Sequence, residues 1–285
     1  MSLRRFSQVD VFTAVPLKGN PLAVVVDAEG LSDAEMQAFA RWTNLSETTF
    51  LLPPTQPEAD YRVRIFTTAR ELPFAGHPTL GSCHAWLAAG GQPKGADVVQ
   101  ECGVGLVTVR RAAEGRFAFA APPLLRTGPL DDATLGQVCV ALGIGRDEVL
   151  AHQWVDNGPG WCAVMLGSRE RLLALKPDFK ALAPLELGVV APLQKVGAVA
   201  QQTGEADFEV RALLSLEAVP EDPVTGSLNA GLAQWLIGAG LAPESYVVSQ
   251  GTVLGRDGRV FVEKQGDTIW VGGQVTPLVE GQVRL

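Results

Sequence analysis

The side chains whose types and settings could move a proton are a carboxylate at Glu47, an imidazole at His77, and the polar run Asp222-Pro223-Val224-Thr225-Gly226-Ser227. Glu47 follows a predicted helix stop at Asn44-Leu45-Ser46 and opens the β-prone run Glu47 to Leu52, so a rigid element would hold its carboxylate. Partly desolvated there, the group would have its pKa raised toward neutrality and could take a proton from carbon and return it elsewhere. The same spacing equally describes an ordinary surface glutamate. His77 lies between Gly76 and Pro78 at a predicted helix start. There the helix dipole favours neutral imidazole, able to donate or accept a hydrogen bond, although a cap or a packed side chain also fits. Asp222, Thr225 and Ser227 are residue types that cap helix N-termini, and capping is compatible with a role in chemistry. Glu221 reads as a solvated neighbour, and His84 and His152 as structural.

His77, Thr225 and Ser227 sit in two glycine-punctuated segments, starting at Gly76 and at Thr225, that look like two copies of one loop-and-helix unit. A displacement of 149 residues superposes Trp86 on Trp235 and the run Val98-Val99 on Val247-Val248; Val63-Arg64 matches Val210-Arg211 only with a slip of two. A duplicated unit of about half the chain implies two similar domains, each with a helix N-terminus aimed at a cleft. The N–H groups of a helix's first turn have no acceptor within the helix and can bind an anion. Gly76, Pro78, Thr79, Thr225 and Gly226 are therefore read as binding a substrate carboxylate. The glycines could instead serve only tight turns and close packing.

The elements that must position these groups are legible in outline. Val9–Thr13 and Leu22–Val26 flank the turn residues Lys18-Gly19-Asn20-Pro21 as a hairpin. Ser32 and Glu35 form a capping box for a helix that Asn44 ends. Tyr61–Phe66 alternates as a strand, Pro78–Ala89 is helical, and Val98–Val109 is a strand interrupted by Gly103 and Gly105. The Pro-rich stretch 120–132 is the expected crossover, dividing the chain into domains 1–124 and 125–285. Beyond it come helices Leu135–Leu142 and Arg146–Leu150, strand Trp161–Leu166, helix Leu228–Ile237, and a meander through Val247–Val253, Arg259–Val262 and Thr268–Val271. The alternation predicts two α+β domains.

Composition narrows the function classes. A chain of 285 residues supports two cores, and 47% hydrophobic with 19% charged residues describes a compact soluble protein. A net charge of −8 without any basic stripe argues against nucleic acid. No secretory-type apolar run and no membrane-spanning run is present, so a cytosolic protein is expected. The four cysteines are widely spaced, and free thiols are the expectation. Neither a phosphate loop nor an HExxH helix occurs, Gly103-x-Gly105 lacks the context of a dinucleotide site, and no cluster has metal spacing, so no metal is expected.

The segments VDVFTAVPLKGNPLAVV, NLSETTFLL, FAGHPTLGS, VDNGPGWCAVML and EDPVTGSLNAGL resemble, in this order and over nearly the whole chain, the PhzF family of phenazine-biosynthesis-like isomerases. That family is similar in fold to diaminopimelate epimerase, which implies two pseudo-symmetric domains, each a barrel-like sheet around a central helix. The resemblance implies a cofactor-independent isomerase and a homodimer. It makes Glu47 the proton-shuttling residue, Asp222 a second active-site carboxylate and Ser227 its hydroxyl partner, with His77 orienting. An epimerase of the diaminopimelate type uses two opposed cysteines at the helix starts. Here those positions look like His77 and Asp222 or Ser227, which disfavours two-thiol stereoinversion and favours one-base proton transfer. Racemase activity with a mixed pair of bases, and ligand binding without catalysis, remain alternatives.

Overall fold

The segments Gly76–Ala88 (α2) and Gly226–Gly238 (α6) contain no Asp, Glu, Lys or Arg. A helix apolar on every side is stable only when enclosed. In the computed structural model, which describes residues 2–112, 115–193, 206–215 and 219–285, each of these helices is the centre of its own compact unit.

The first unit comprises Met1–Ala120 and Gly272–Leu285. Its strands are β1 (Leu3–Val11), β2 (Asn20–Val25), β3 (Glu47–Leu52), β4 (Tyr61–Phe66), β5 (Glu71–Leu72), β6 (Val98–Cys102), β7 (Gly105–Arg111), β8 (Phe117–Ala120) and β17 (Val275–Arg284). Across the sheet the order is β17, β1, β2, β3, β4, β6, β7, β8, with β5 hairpinned on β4. The β2–β3 and β4–β6 pairs are parallel and the others antiparallel. Helix α2 touches β1, β2, β3, β4, β6, β7, β8 and β17, so the sheet wraps around it. On the outer face α1 (Asp33–Thr43) lays Met36, Phe39 and Ala40 on Val25, Phe50 and Phe66. Its predicted ends hold: the Ser32–Glu35 capping box forms, and Asn44 closes the helix with φ 55°.

The second unit, Ala121–Val271, repeats the plan. Strands β9 (Val149–Trp154), β10 (Trp161–Leu166), β11 (Glu186–Pro192), β12 (Phe208–Leu214), β14 (Ser245–Gln250) and β15 (Gly258–Gln265) lie in that order, with β13 (Glu221–Asp222) hairpinned on β12. The β10–β11 and β12–β14 pairs are the parallel ones, matching β2–β3 and β4–β6. Strand β16 (Thr268–Gly273) follows β15, and its last two residues, Gly272 and Gly273, belong to the first unit. Helix α3 (Asp132–Leu142) packs with α4 (Arg169–Leu173) and α5 (Phe179–Leu182) in an outer cluster around Val138, Leu142, Leu172 and Leu182.

Three side-chain devices recur in both units and establish the duplication independently of helix content. Asp60 Oδ2 accepts from the Val99 N–H at 2.7 Å, and Asp207 Oδ2 accepts from the Val247 N–H at 2.8 Å. Arg64 grips Glu71 through two nitrogens, and Arg211 grips Glu221 in the same bidentate way. Gly81 in α2 and Gly231 in α6 occupy equivalent helix positions, and each faces a neighbouring segment at close range. A Cβ would stand 2.6 Å from Leu22 Cδ2 in the first case and 2.3 Å from the Val155 carbonyl in the second.

Several expectations are corrected. The expected halves 1–124 and 125–285 are consecutive, whereas the compact units interleave, because β17 returns to pair with β1 along its whole length. Val98–Val109 is a hairpin turning at Gly103-Val104, not one interrupted strand. Arg146–Leu150 is a single 3-10 turn, Arg146–Glu148, running into β9. Val247–Val253 stops as a strand at Gln250, where Gly251 takes φ 91° and starts a second 3-10 turn. Asn20 is the first residue of β2, not part of the turn. Both central helices begin two residues before the expected Pro78 and Leu228, which puts Pro78 third instead of first. Proline is still tolerated there, since the third N–H lacks an intrahelical acceptor. Among the described residues no helix is long and apolar enough to cross a membrane.

Candidate functional site

In the first unit, Glu47 opens β3 opposite Leu22 of β2, and His77 is the second residue of α2. These two expected residues meet: His77 Nε2 stands 3.4 Å from Glu47 Oε2. Both side chains are largely buried, with exposures of 5% and 15%. Burial pushes the His77 pKa down to about 3, so at neutral pH the imidazole is uncharged. The pair is thus a carboxylate facing a neutral ring, and at 3.4 Å the contact is longer than a formed hydrogen bond. Desolvation lowers the ring's pKa, in the same direction as the helix dipole expected from the sequence.

The expected binding residues around His77 divide in two. Gly76 and Pro78 are buried in the first turn of α2, and Gly76 does not take a positive φ. Thr79 is fully buried and its hydroxyl is committed: it donates to the Ala75 carbonyl at 2.9 Å and accepts from Gln100 Nε2 at 3.1 Å. It locks the helix start. Gln100, itself satisfied by the Tyr61 hydroxyl at 2.9 Å, is a residue the sequence reading missed.

In the second unit Asp222 ends β13 and Thr225 is the N-cap of α6. Thr225 does not cap with its side chain; its hydroxyl donates to Asp222 Oδ2 at 2.5 Å. Behind it lies Gln250, the last residue of β14, fully buried. Its Nε2 donates to Thr225 Oγ1 at 3.0 Å and to the Asp222 carbonyl at 3.2 Å. Its Oε1 accepts from the Thr225 N–H at 3.1 Å and from Asn229 Nδ2 at 2.8 Å. Every hydrogen-bonding position of that amide is used, so the chain Gln250 to Thr225 to Asp222 has one donor direction and a fixed geometry. Ser227 is held separately, its Oγ accepting from Trp161 Nε1 at 3.1 Å and its carbonyl from Asn157 Nδ2 at 2.9 Å. Gly226 is buried as the first residue of α6. Gln250 carries no local pattern that distinguishes it from any polar residue, whereas Asn157 lies in the segment VDNGPGWCAVML.

Glu221 is not the solvated neighbour expected. It is buried, and Arg211 donates to it at 2.9 and 2.8 Å while also donating to the Leu172 and Leu175 carbonyls. This ion pair braces β13, and with it Asp222, against β12.

The thiols stand apart from both helix starts. Cys83 lies in the second turn of α2, and burial pushes it up to about 12; Cys162 in β10 is pushed up to about 12 for the same reason. A thiol held neutral is a poor base or nucleophile. Among the described residues no group of three or more His, Cys, Asp and Glu is placed to hold a metal ion.

The family model of phenazine biosynthesis-like proteins, PhzC-PhzF, matches residues 9–281. A protein of Schizosaccharomyces pombe called antisense-enhancing sequence 1 is 36% identical, over 99% of each chain. A trans-2,3-dihydro-3-hydroxyanthranilate isomerase of Pseudomonas fluorescens is 33% identical, over 90% of this chain and 89% of its own. Among solved structures, a PhzF-family protein of Enterococcus faecalis superposes with a TM-score of 0.80 at 25% identity, over the whole of both chains.

Proposed function

Because the chain belongs to the phenazine biosynthesis-like PhzC-PhzF family and is an isomerase, we propose that it moves a proton between two carbons of a small carboxylated substrate, with Glu47 as the base. The observation that carries this reading is the buried contact of Glu47 with the neutral ring of His77. An imidazolium would hold the carboxylate in an ion pair and weaken it as a base. A neutral imidazole N–H steadies it without neutralising it.

In the proposed step the C–H bond of the substrate breaks, the proton goes to Glu47, and the electron pair stays on carbon and spreads into an adjoining unsaturated system. Glu47, once its acquired proton has exchanged with solvent, then delivers a proton to a second carbon. Atoms and electrons balance within one molecule, so no cofactor enters the steps. Donors fixed before the reaction, at the first turn of a helix, suit the negative charge that develops. Asp222, held by Thr225, and Ser227, held by Trp161, are proposed to orient the substrate, and the helix starts at Gly76 and Gly226 to take its carboxylate. The substrate class is a small unsaturated or amino-bearing carboxylate. The P. fluorescens relative's dihydro-hydroxyanthranilate is one member of it. The neutral, buried Cys83 and Cys162 give a two-thiol racemase no support. A homodimer is part of the proposal, and sedimentation at micromolar concentration showing only 30 kDa particles would defeat it.

The test is Glu47→Gln, which keeps size and removes the base. Carboxylated cyclic and amino-acid ligands are first screened by thermal shift, since binding to the native state raises its stability. In D2O the variant loses deuterium incorporation into the substrate carbon and keeps affinity within about tenfold, roughly 1.4 kcal/mol. Exchange at the wild-type rate removes Glu47 as the base, and inversion of a stereocentre would move the reading to a racemase.

A further inference from the structure

A neutral imidazole carries its proton on one nitrogen only, and the partner of the other nitrogen decides which. For His77 to face Glu47 with an N–H, the proton must sit on Nε2 and Nδ1 must accept. The group at Nδ1 is Asn20, whose Nδ2 lies 3.3 Å away in a fully buried contact. An amide nitrogen donates and never accepts, so this contact leaves Nδ1 no role but acceptor. We propose that Asn20 is the positioning residue that fixes His77 as the Nε2–H tautomer and turns that N–H onto the Glu47 carboxylate. The catalytic consequence rests on the proton-transfer reading given above; the tautomer assignment does not.

The backbone around Asn20 is built to hold it there. The loop from Phe12 to Gly19 joins β1 to β2, and two of its residues sit in the left-handed region: Phe12 with φ 64° and Leu17 with φ 68°. For side chains of that size the conformation is strained, and strain of this kind persists only where the surroundings over-determine it. Phe12 is completely buried. The surroundings include Asp10, buried in β1, whose Oδ2 accepts from the Lys18 N–H at 2.8 Å and the Gly19 N–H at 3.0 Å. Gly19 is obligatory, since a Cβ would meet the Val11 carbonyl at 2.2 Å. The loop therefore ends in one register, with Asn20 opposite Val11 and its amide against the ring. Glu47 faces the ring at Nε2, and Asp10 accepts from the N–H of Gly19, the residue before Asn20.

The proposal is tested on the intact protein by long-range 1H–15N correlation of 15N-labelled histidine. With three histidines in the chain, the set that disappears in His77→Gln is assigned to His77. His152, whose Nδ1 accepts from the Leu130 N–H at 3.0 Å, is an internal standard for the Nε2–H form. The expected wild-type signature for His77 is a protonated Nε2 and an unprotonated Nδ1. In Asn20→Ala the preference is lost and both tautomers are populated; in Asn20→Asp, where the neighbour can only accept, the proton moves to Nδ1. On the enzyme, Asn20→Ala lowers kcat at least tenfold with KM changed less than threefold. A wild-type His77 protonated on Nδ1, or an Asn20→Ala spectrum identical to wild type, overturns the proposal. The wild-type signature needs no substitution of Asn20, so a variant that fails to fold leaves it decisive. If Glu47→Gln still exchanges deuterium while the tautomer is as stated, the proton-transfer reading falls and the role of Asn20 stands.

Discussion

Replacing His77 by Gln should flatten the acid limb of the protein's stability, by an amount the burial of the ring fixes. In the folded chain the ring protonates only near pH 3, against about 6.5 when unfolded. Above pH 6.5 both states hold it neutral and it contributes no pH dependence. Below that value the unfolded chain takes up a proton that the folded chain refuses, so stability falls with decreasing pH until the folded pKa is reached. The slope approaches about 1.4 kcal/mol per pH unit, so the loss between pH 7.5 and 5 is about 2 kcal/mol. His84, whose pKa burial also lowers, is present in both proteins and cancels in the comparison. The assay is urea unfolding at pH 7.5 and 5, reading the midpoint and slope for wild type and His77→Gln. The variant should lose about 2 kcal/mol less than wild type over that interval. Equal losses would show that His77 is not held neutral in the fold, and the picture of a carboxylate facing an uncharged ring would go with it.

Gly231→Ala should cost about 1 to 3 kcal/mol, because its Cβ would be driven to 2.3 Å from the Val155 carbonyl, whereas Gly238→Ala in the same helix meets nothing within 4 Å and should be neutral or gain up to about 1 kcal/mol. Thermal unfolding of the two variants side by side separates close packing from helix propensity, and equal effects would defeat the packing argument. Glu221→Gln strips the charge partner from the buried Arg211 and should cost about 3 kcal/mol. Glu71→Gln at the equivalent but more open Arg64 pair, where Glu71 is 41% exposed, should cost no more than about 1 kcal/mol. A chemical denaturation series on both, with ligand affinity read in parallel, checks the ordering; a larger cost at Glu71 contradicts it.

The sequence by itself determined what is local or repeated. The capping box at Ser32 and Glu35, the stop at Asn44 and the two charge-free helices are written in contiguous residues, because caps and helical faces are set within a turn or two of chain. The repeat was readable for the same reason, since an enclosed helix restricts residue types along its whole length. Glu47 and His77 were found through their motifs, and the fold puts them in contact. Tertiary structure decided the rest. That β17 belongs with β1 follows from ladder pairing between the two ends of the chain, which no window of sequence contains. Strand β9 was missed because Trp154 alone of its residues is buried, so no alternation shows, and β11 because a short continuous apolar run does not by itself tell strand from helix. Asn20 looked like a turn residue, and Gln100, Gln250 and Glu221 like ordinary polar positions. Asn20, Gln100 and Gln250 acquire their roles only when sheet register buries them against a helix start, and Glu221 when β13 pairs with β12 and buries it on Arg211; an unpaired polar group would be costly there, so each partner is fixed in place.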